Sequence, residues 1–219
     1  MSKTQKKPIK YRWGKRKAKA QTIKTKPQNQ AAMISQYQLR RRILKGYMEM
    51  IERRSNEGYD IYLFTFMFNE MPGKERAKIE QMKDEIYRCY SRLATRVARK
   101  PNTPAGHKLL PLIILYPDKA VYKSAKRKLP LKEVITNDGL HFHGACAADR
   151  RGRMTNFLDE YFKEFQADFT TRKLRTVHVE RVTRAPGFVT HYALKSLKRP
   201  WFENDDIVVL PRTLSELSK

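Results

Sequence analysis

The stretch from Tyr59 to Asn69, YDIYLFTFMFN, places the strongest constraint on the fold. Its aromatic and β-branched content and its length are typical of a β-strand. The stretch is apolar on both faces, and Thr65 is its one polar interruption. Such a strand belongs in the centre of a sheet whose two faces are covered by other elements. The sequence therefore predicts a sheet built around this strand.

The other periodic segments supply further strands and helices. Apolar residues at three- and four-residue steps predict helices, and short alternating or continuous apolar runs predict strands. The predicted helices cover residues 28–54, 74–99, 155–169 and 186–197. The predicted strands cover residues 109–116, 131–136, 140–147 and 174–182. Pro111 indicates an edge position or an offset start for the first of these strands.

The charge of the chain favours a polyanionic partner. Lys and Arg total 47 against 22 acidic residues, which gives a formal net charge of +25. No apolar run reaches the length of a membrane span, so nucleic acid is a better partner than a membrane surface. The two cysteines are too few for a disulfide framework or a thiolate zinc site. We therefore expect a cytoplasmic protein that associates with the nucleoid through DNA.

Basic residues concentrate in the N-terminal region and in one later turn. Residues 1–27 contain no acidic residue, and we expect residues 1–55 to form a basic arm and helix that extends DNA binding beyond the main domain. The alternative for the arm is a solubilising tail. The residues expected to contact DNA are Lys15, Arg16, Lys17, Arg40, Arg41, Arg42, Arg150, Arg151 and Arg153.

A pair of histidines, His141 and His143, flanks Phe142 directly after the turn signal Asn137-Asp138-Gly139. In a strand alternate side chains share a face, so the two histidines project together while Phe142 faces the opposite, buried side. Two imidazoles about 7 Å apart can bind one divalent cation. The pattern therefore favours a metal site on this strand.

The turn signal also predicts a hairpin in which residues 131–136 pair with the histidine strand. A three-residue loop places Glu133 opposite His143, on the face that carries both histidines. A two-residue loop would shift that register and turn Glu133 away. The carboxylate of Glu133 is therefore expected beside the two imidazoles.

The helix that begins at Pro186 carries a tyrosine and a lysine one turn apart. Its apolar side consists of Val189, Ala193, Leu194 and Leu197. Tyr192, His191 and Lys195 fall on the other side at 100° per residue. A tyrosine in that position is not placed only to fill a core, and the alternative is an amphipathic tyrosine at the surface.

Three motifs in this order resemble those of the HUH endonucleases, which include rolling-circle replication initiators and single-strand transposases. They are the strand around Thr65, then His141-Phe142-His143, then Tyr192-Ala193-Leu194-Lys195. The resemblance covers residues 59–198 and implies a ferredoxin-like α+β domain over residues 56–199, with a central antiparallel sheet flanked by helices. A tail, residues 200–219, follows it, and we identify no chemistry there. One tyrosine in the third motif is typical of the single-tyrosine class.

The resemblance also implies roles for the candidate residues. Tyr192 would be the nucleophile, and Lys195 would stabilise the phosphate or the tyrosinate. His141, His143 and a third polar side chain would bind Mn²⁺ or Mg²⁺, which polarises a phosphate oxygen. Glu133 is the candidate third ligand, with His178 and Asp149 as alternatives. His191 points about 100° away from Tyr192 and is expected to contact DNA phosphate.

The implied function is metal-dependent, site-specific nicking and joining of single-stranded DNA through a covalent 5′-phosphotyrosine. It would initiate rolling-circle replication of a plasmid, phage or mobile element at single-stranded or hairpin origin DNA, with helicase and polymerase from the host. Two alternatives stay open: a single-strand transposase of the same type, and a non-catalytic basic nucleic-acid-binding protein on the same fold. A ribosomal or RNA-binding protein would explain the charge but not the histidine and tyrosine motifs.

Overall fold

The computed structural model describes residues 27–120, 136–154 and 156–213, with side chains from residue 35 onward. Its strands are β1 (Asp60–Phe68), β2 (Leu112–Lys119), β3 (Leu140–Ala148), β4 (Leu174–Val182) and β5 (Val208–Leu210). Its helices are α1 (Pro27–Asn56), α2 (Glu75–Val97), α3 (Pro104–His107), α4 (Leu158–Glu164), α5 (Gln166–Phe169) and α6 (Pro186–Ala193). Short 3₁₀ turns lie at Thr136–Gly139, Lys195–Lys198 and Asn204–Asp206.

The five strands form one sheet in the order β4-β1-β3-β2-β5, and every neighbouring pair is antiparallel. The predicted α+β class with a central antiparallel sheet and flanking helices is confirmed. The arrangement is compatible with a ferredoxin-like fold. In the described part of the chain, no helix combines the length and the apolar character that crossing a membrane requires.

Strand β1 lies between β3 and β4, which confirms the prediction of an interior strand. On one face of the sheet its side chains are at most 2% exposed; they are Tyr62, Phe64, Phe66 and Phe68. There Phe64 packs edge-to-face on Phe162 of α4, with ring centroids 5.5 Å apart. The other face is covered by α6 and by α1, which pack on each other and contact both β1 and β3.

The predicted hairpin between residues 131–136 and the histidine strand is wrong. Both edges of β3 are occupied, one by β1 and the other by β2. The turn signal itself is real, because Asn137 and Asp138 have positive φ values of 53° and 58°. The buried Asn137 amide, however, accepts from Met71 N–H and donates to the Asn69 carbonyl, so the turn docks on the end of β1. Turn chemistry marks a change of direction but does not name the pairing strand.

The ends of the chain contribute to the core more than the sequence indicates. Leu44 and Ile51 of α1 are buried in the same cluster as the sheet. Strand β5 pairs with β2, and Phe202, which precedes it, is also buried. Because β3 and β5 flank β2, that strand is not at an edge, and Pro111 lies just before it. The predicted helix over residues 155–169 is divided into α4 and α5, and α6 gives way to a 3₁₀ turn after Ala193.

Candidate active site

His141 and His143 project from β3 on the side of the sheet that faces α6. Their ring centroids are 6.2 Å apart, and both rings are partly exposed. Phe142, between them, is fully buried on the opposite face. The alternation expected of a strand is therefore present, and the two imidazoles lie next to each other above the sheet.

His143 sits between Thr65 of β1 and Tyr116 of β2 in the strand register. The Thr65 hydroxyl lies 2.7 Å from His143 Nδ1, which is hydrogen-bonding distance. This contact orients the ring, since a hydrogen bond at Nδ1 fixes how the imidazole presents its second nitrogen. Thr65, which interrupts the apolar run of β1, is thus a hydrogen-bonding neighbour of the histidine.

His141 is held as a defined tautomer by the turn before it. Its Nδ1 lies 3.0 Å from the Gly139 carbonyl oxygen, which can only accept, so Nδ1 carries the proton. The lone pair of the neutral ring is then on Nε2. That atom lies 4.0 Å from Asp118 Oδ2.

Asp118 is the acidic residue that β2 places beside the histidines, and sequence reasoning missed it. It is directly opposite His141 in the register and is 3% exposed. Lys195, the Ser196 hydroxyl and the Lys119 backbone N–H all donate to its carboxylate. Burial raises the pKa of Asp118, but the hydrogen bonds from Lys195 and Ser196 and the positive charge of Lys195 outweigh it and hold the pKa below 3.8. Asp118 is therefore an anion in this site.

Close packing between β2 and β3 depends on the glycine that follows the second histidine. A Cβ built on Gly144 would lie 1.9 Å from the Ile114 carbonyl oxygen and 2.7 Å from Leu115 Cα. Real Cβ atoms do not come this near to backbone, so a side chain here would push the strands apart. The absence of a side chain at Gly144 keeps Asp118 within reach of His141.

Tyr192 on α6 reaches the histidines from above the sheet. Its ring centroid lies 6.0 Å from that of His143, and its side chain is 39% exposed. Lys195 Nζ lies 5.1 Å from the Tyr192 ring centroid and is ion-paired with Asp118. The structure thus brings together residues predicted from two separate motifs. One motif supplies His141 and His143, and the other supplies Tyr192 and Lys195.

The remaining candidates for the metal ligand lie elsewhere. Glu133 is outside the described residues. His178 lies opposite Thr65 on β4, two strands from His143, which corresponds to about 10 Å. Asp149 follows the far end of β3 and accepts from Arg151 at 2.9 Å. Neither His178 nor Asp149 belongs to the cluster around Tyr192.

The donors beside Tyr192 suit a divalent cation by type. Imidazole and carboxylate ligands can bind a divalent cation such as Mn²⁺, and two donors bound to one ion lie no more than about 4.2 Å apart. The 4.0 Å between Asp118 and His141 meets this limit. Among the described residues, however, no three His, Cys, Asp or Glu side chains already form a metal-binding group. Asp118 is engaged by Lys195 instead.

The residues expected to contact DNA fall into several places. Arg40 donates to the Phe202 carbonyl at 2.9 Å and also to Arg199 O, so it joins α1 to the segment after α6. Its neighbours Arg41 and Arg42 are exposed, and Arg153 is exposed near the end of α2. Lys15, Arg16 and Lys17 are outside the described residues.

Arg150 and Arg151 are paired with carboxylates of the protein. Arg150 donates to both oxygens of Asp60, at 2.5 and 2.7 Å, and Arg151 donates to Asp149. Asp60 is five residues from Thr65 along β1, about 17 Å from the histidines. These arginines therefore form a separate basic region.

His191, the neighbour of Tyr192, is bound to Lys198. The ammonium group donates to His191 Nε2, so the ring is neutral with its proton on Nδ1. Burial and the positive charge of Lys198 lower the pKa of His191 below 6.5. Both cysteines are buried, and burial raises the pKa of Cys89 to about 12. Comparisons with family models, with curated proteins and with solved structures find no match to this chain.

Proposed function

We propose that this protein cleaves and rejoins single-stranded DNA, with Tyr192 as the attacking residue. One observation carries the proposal: a partly exposed tyrosine lies next to His143, with Lys195 close to its ring. A hydroxyl nucleophile, imidazoles, a buried carboxylate and an ammonium group are the components that phosphodiester transfer requires. The formal net charge of +25 suits a polyanionic substrate.

The reaction replaces one phosphate ester with another. Tyr192 Oη loses its proton and attacks the phosphorus, and the bond from phosphorus to the 3′ oxygen breaks. That oxygen leaves with a proton as a free 3′-hydroxyl, and the 5′ phosphate stays on the tyrosine. A later 3′-hydroxyl attacks the phosphotyrosine and reseals the strand, so no external energy source is required.

Lys195 is placed to compensate negative charge during this transfer. Its ion pair with the buried Asp118 holds the ammonium group near the Tyr192 ring, where charge develops on the oxygen and the phosphate. When bound by His141, His143 and Asp118, Mn²⁺ or Mg²⁺ would polarise a phosphate oxygen. In this proposal Asp118 takes the place that the sequence assigns to Glu133.

The biological process that we propose for this chemistry is based on the resemblance to single-tyrosine HUH initiators. The strand order and the position of the histidines on an interior strand are what a ferredoxin-like domain of this type would have. We propose initiation of rolling-circle replication of a plasmid, phage or mobile element, at single-stranded or hairpin origin DNA. A transposase of the same chemistry is the second form of this proposal.

A denaturing gel tests the chemistry without knowledge of the origin. Single-stranded oligonucleotides with a randomised centre and a 3′-terminal fluorophore are incubated with the full chain and Mn²⁺. We expect a fluorescent protein band, because the 5′ phosphate of the labelled fragment becomes attached to the protein. Tyr192→Phe should lose the band completely. Tyr161→Phe, which changes a partly exposed tyrosine of α4 on the opposite face of the sheet, should keep it.

Two outcomes would contradict the proposal. A band that persists in Tyr192→Phe would place the nucleophile elsewhere. If the unaltered chain retains oligonucleotides on a native gel but forms no covalent band, the non-catalytic alternative is correct. That alternative, a basic nucleic-acid-binding protein, is supported by the same net charge.

A further inference from the structure

The exposed aromatic side chains of this protein are not scattered. Six large apolar or aromatic side chains are exposed in the described ranges, and all except Phe165 lie on α1, on α6 or just after α6. These five are Tyr37, Leu39, Phe188, Tyr192 and Trp201. Because α1 packs against α6 and against the turn that follows it, the five lie on neighbouring elements of the fold.

Arg40 connects two of these side chains. Tyr37 lies one helical turn before Arg40 on α1. Trp201 lies between Arg199 and Phe202, the two residues whose carbonyls accept from Arg40. The side chains of Tyr37 and Trp201, 49% and 38% exposed, therefore lie on either side of the hydrogen bonds that Arg40 makes.

A groove of about 1030 Å³ runs between α1 and the segment that follows α6. Tyr37, Arg40, Lys198 and Pro200 are among its lining residues. Lys198 also donates to His191, the residue before Tyr192. Lys198 therefore connects the groove to His191, the chain neighbour of the proposed nucleophile.

Tyr37 lines the groove, Trp201 directly follows the lining residue Pro200, and each of the two rings has a cation near it. Arg41 Cζ lies 5.8 Å from the Tyr37 ring centroid, and Arg199 Cζ lies 4.3 Å from that of Trp201. Acidic residues are present at one end, where Glu203 and Asp205 line the groove, and Arg76 is ion-paired with Asp205. Flat rings beside cations are the surface that a single strand requires, because bases stack on the rings while the cations neutralise phosphates.

We infer that this groove binds the single strand that continues from Tyr192, with bases stacked on Tyr37 and Trp201. The inference rests on the proposed function for the direction of the strand. It assigns part of the substrate site to α1 and to the segment after α6, outside the three motifs. Duplex DNA does not fit this role, because its bases are already stacked on each other.

Tryptophan fluorescence tests the groove separately from cleavage. The chain has two tryptophans, so Trp13→Phe leaves Trp201 as the one indole, and Tyr192→Phe in the same protein prevents covalent attachment. Oligo(dT) is added in the presence of a chelator. We expect oligo(dT) to quench Trp201 emission until binding is saturated. The affinity measured in this way should increase as the salt concentration is lowered.

Substitutions in that background separate stacking from general charge. Tyr37→Ala should weaken binding of oligo(dT) by about 5- to 150-fold, the equivalent of one lost stacking contact. Tyr37→Phe should restore the affinity because it keeps the ring. Phe165→Ala is the matched control, since this exposed aromatic side chain follows α4 on the opposite face of the sheet. The affinity of this variant for oligo(dT) should be unchanged.

Three results would overturn the inference. They are binding without any change in Trp201 emission, unchanged affinity in Tyr37→Ala, and equal competition by duplex DNA. Tighter binding of oligo(U) than of oligo(dT) would overturn the assignment to DNA. The proposed function fails by a different result, the absence of a covalent band with Tyr192 intact, so the two failures are distinguishable.

Discussion

The two faces of the sheet are built from the same strands but have opposite characters. On one face Phe64, Phe66 and Phe142 are almost completely buried. On the other face the alternate positions of the same strands are Thr65, His141 and His143, all partly exposed. The first face stabilises the fold by removing apolar area from water, and the second face is free to hold polar groups in fixed positions. Stability and chemistry are thus separated by the two-residue period of a strand.

The largest expected effect comes from substitutions on opposite faces of β3. Phe142→Ala should lower the free energy of unfolding by about 3–5 kcal/mol, because it leaves a cavity under the sheet. His143→Ala should lower it by about 1 kcal/mol or less. The same His143→Ala should slow formation of the covalent adduct by about 100-fold or more, because the imidazole beside Tyr192 is lost. Urea denaturation and the gel assay measure the two quantities.

Equal destabilisation by both substitutions would remove the distinction between the faces. A Phe142→Ala protein that stays folded should retain adduct formation, since its side chain does not reach Tyr192. Loss of the adduct in folded Phe142→Ala, with no loss in His143→Ala, would contradict the assignment of the chemistry to the second face.

The next effect concerns Asp118, the buried carboxylate opposite His141. Asp118→Asn keeps acceptors for Ser196 and Lys119 but removes the charge that holds Lys195. We expect adduct formation to slow by about 10- to 100-fold, as for other groups that orient a reacting residue. Asp205→Asn changes an exposed carboxylate and is the control, with no expected change in rate. A normal rate in Asp118→Asn would contradict both roles proposed for Asp118, holding Lys195 and binding the metal.

The charge on Asp118 also predicts a dependence of stability on pH. Its pKa in the folded protein is below 3.8, so the ionised group stabilises the fold above that value. This stabilisation is lost as the pH falls through the lowered pKa. The difference in unfolding free energy between the unaltered chain and Asp118→Asn should therefore shrink below pH 3.8. Asp60 and Asp149 also have lowered pKa values but are common to both proteins. A constant difference would contradict the lowered pKa.

The smallest expected effect compares the two basic regions. Lys198→Gln, which removes the ammonium group bound to His191, should reduce the slope of log affinity for oligo(dT) against log salt by about 0.7, the value for one phosphate contact. Arg150→Gln should reduce it less, because that guanidinium is bound by both oxygens of Asp60. A larger reduction of this slope in Arg150→Gln than in Lys198→Gln would indicate that DNA binds near the Asp60 end of β1 instead.

The local sequence pattern was sufficient to predict those parts of the fold that depend on residues close together in the chain. It predicted the position of β1, the span of β4, the opposite faces of Phe142 and the histidines, and the helix that carries Tyr192. Asp118 was missed because its place beside His141 depends on the pairing of β2 with β3, which turn chemistry does not specify. The role of β5 was missed for the same reason, since three residues carry almost no periodicity. Pairing between distant strands is decided by the whole core.

Mass spectrometry of the covalent adduct tests the central claim most directly. The adduct formed from the randomised oligonucleotide pool is digested with a nuclease and a protease, and the peptide that carries the residual nucleotide is sequenced. We predict that the phosphate is on the side chain of Tyr192. A phosphate on any other residue, or an adduct that forms equally well in Tyr192→Phe, would contradict the account.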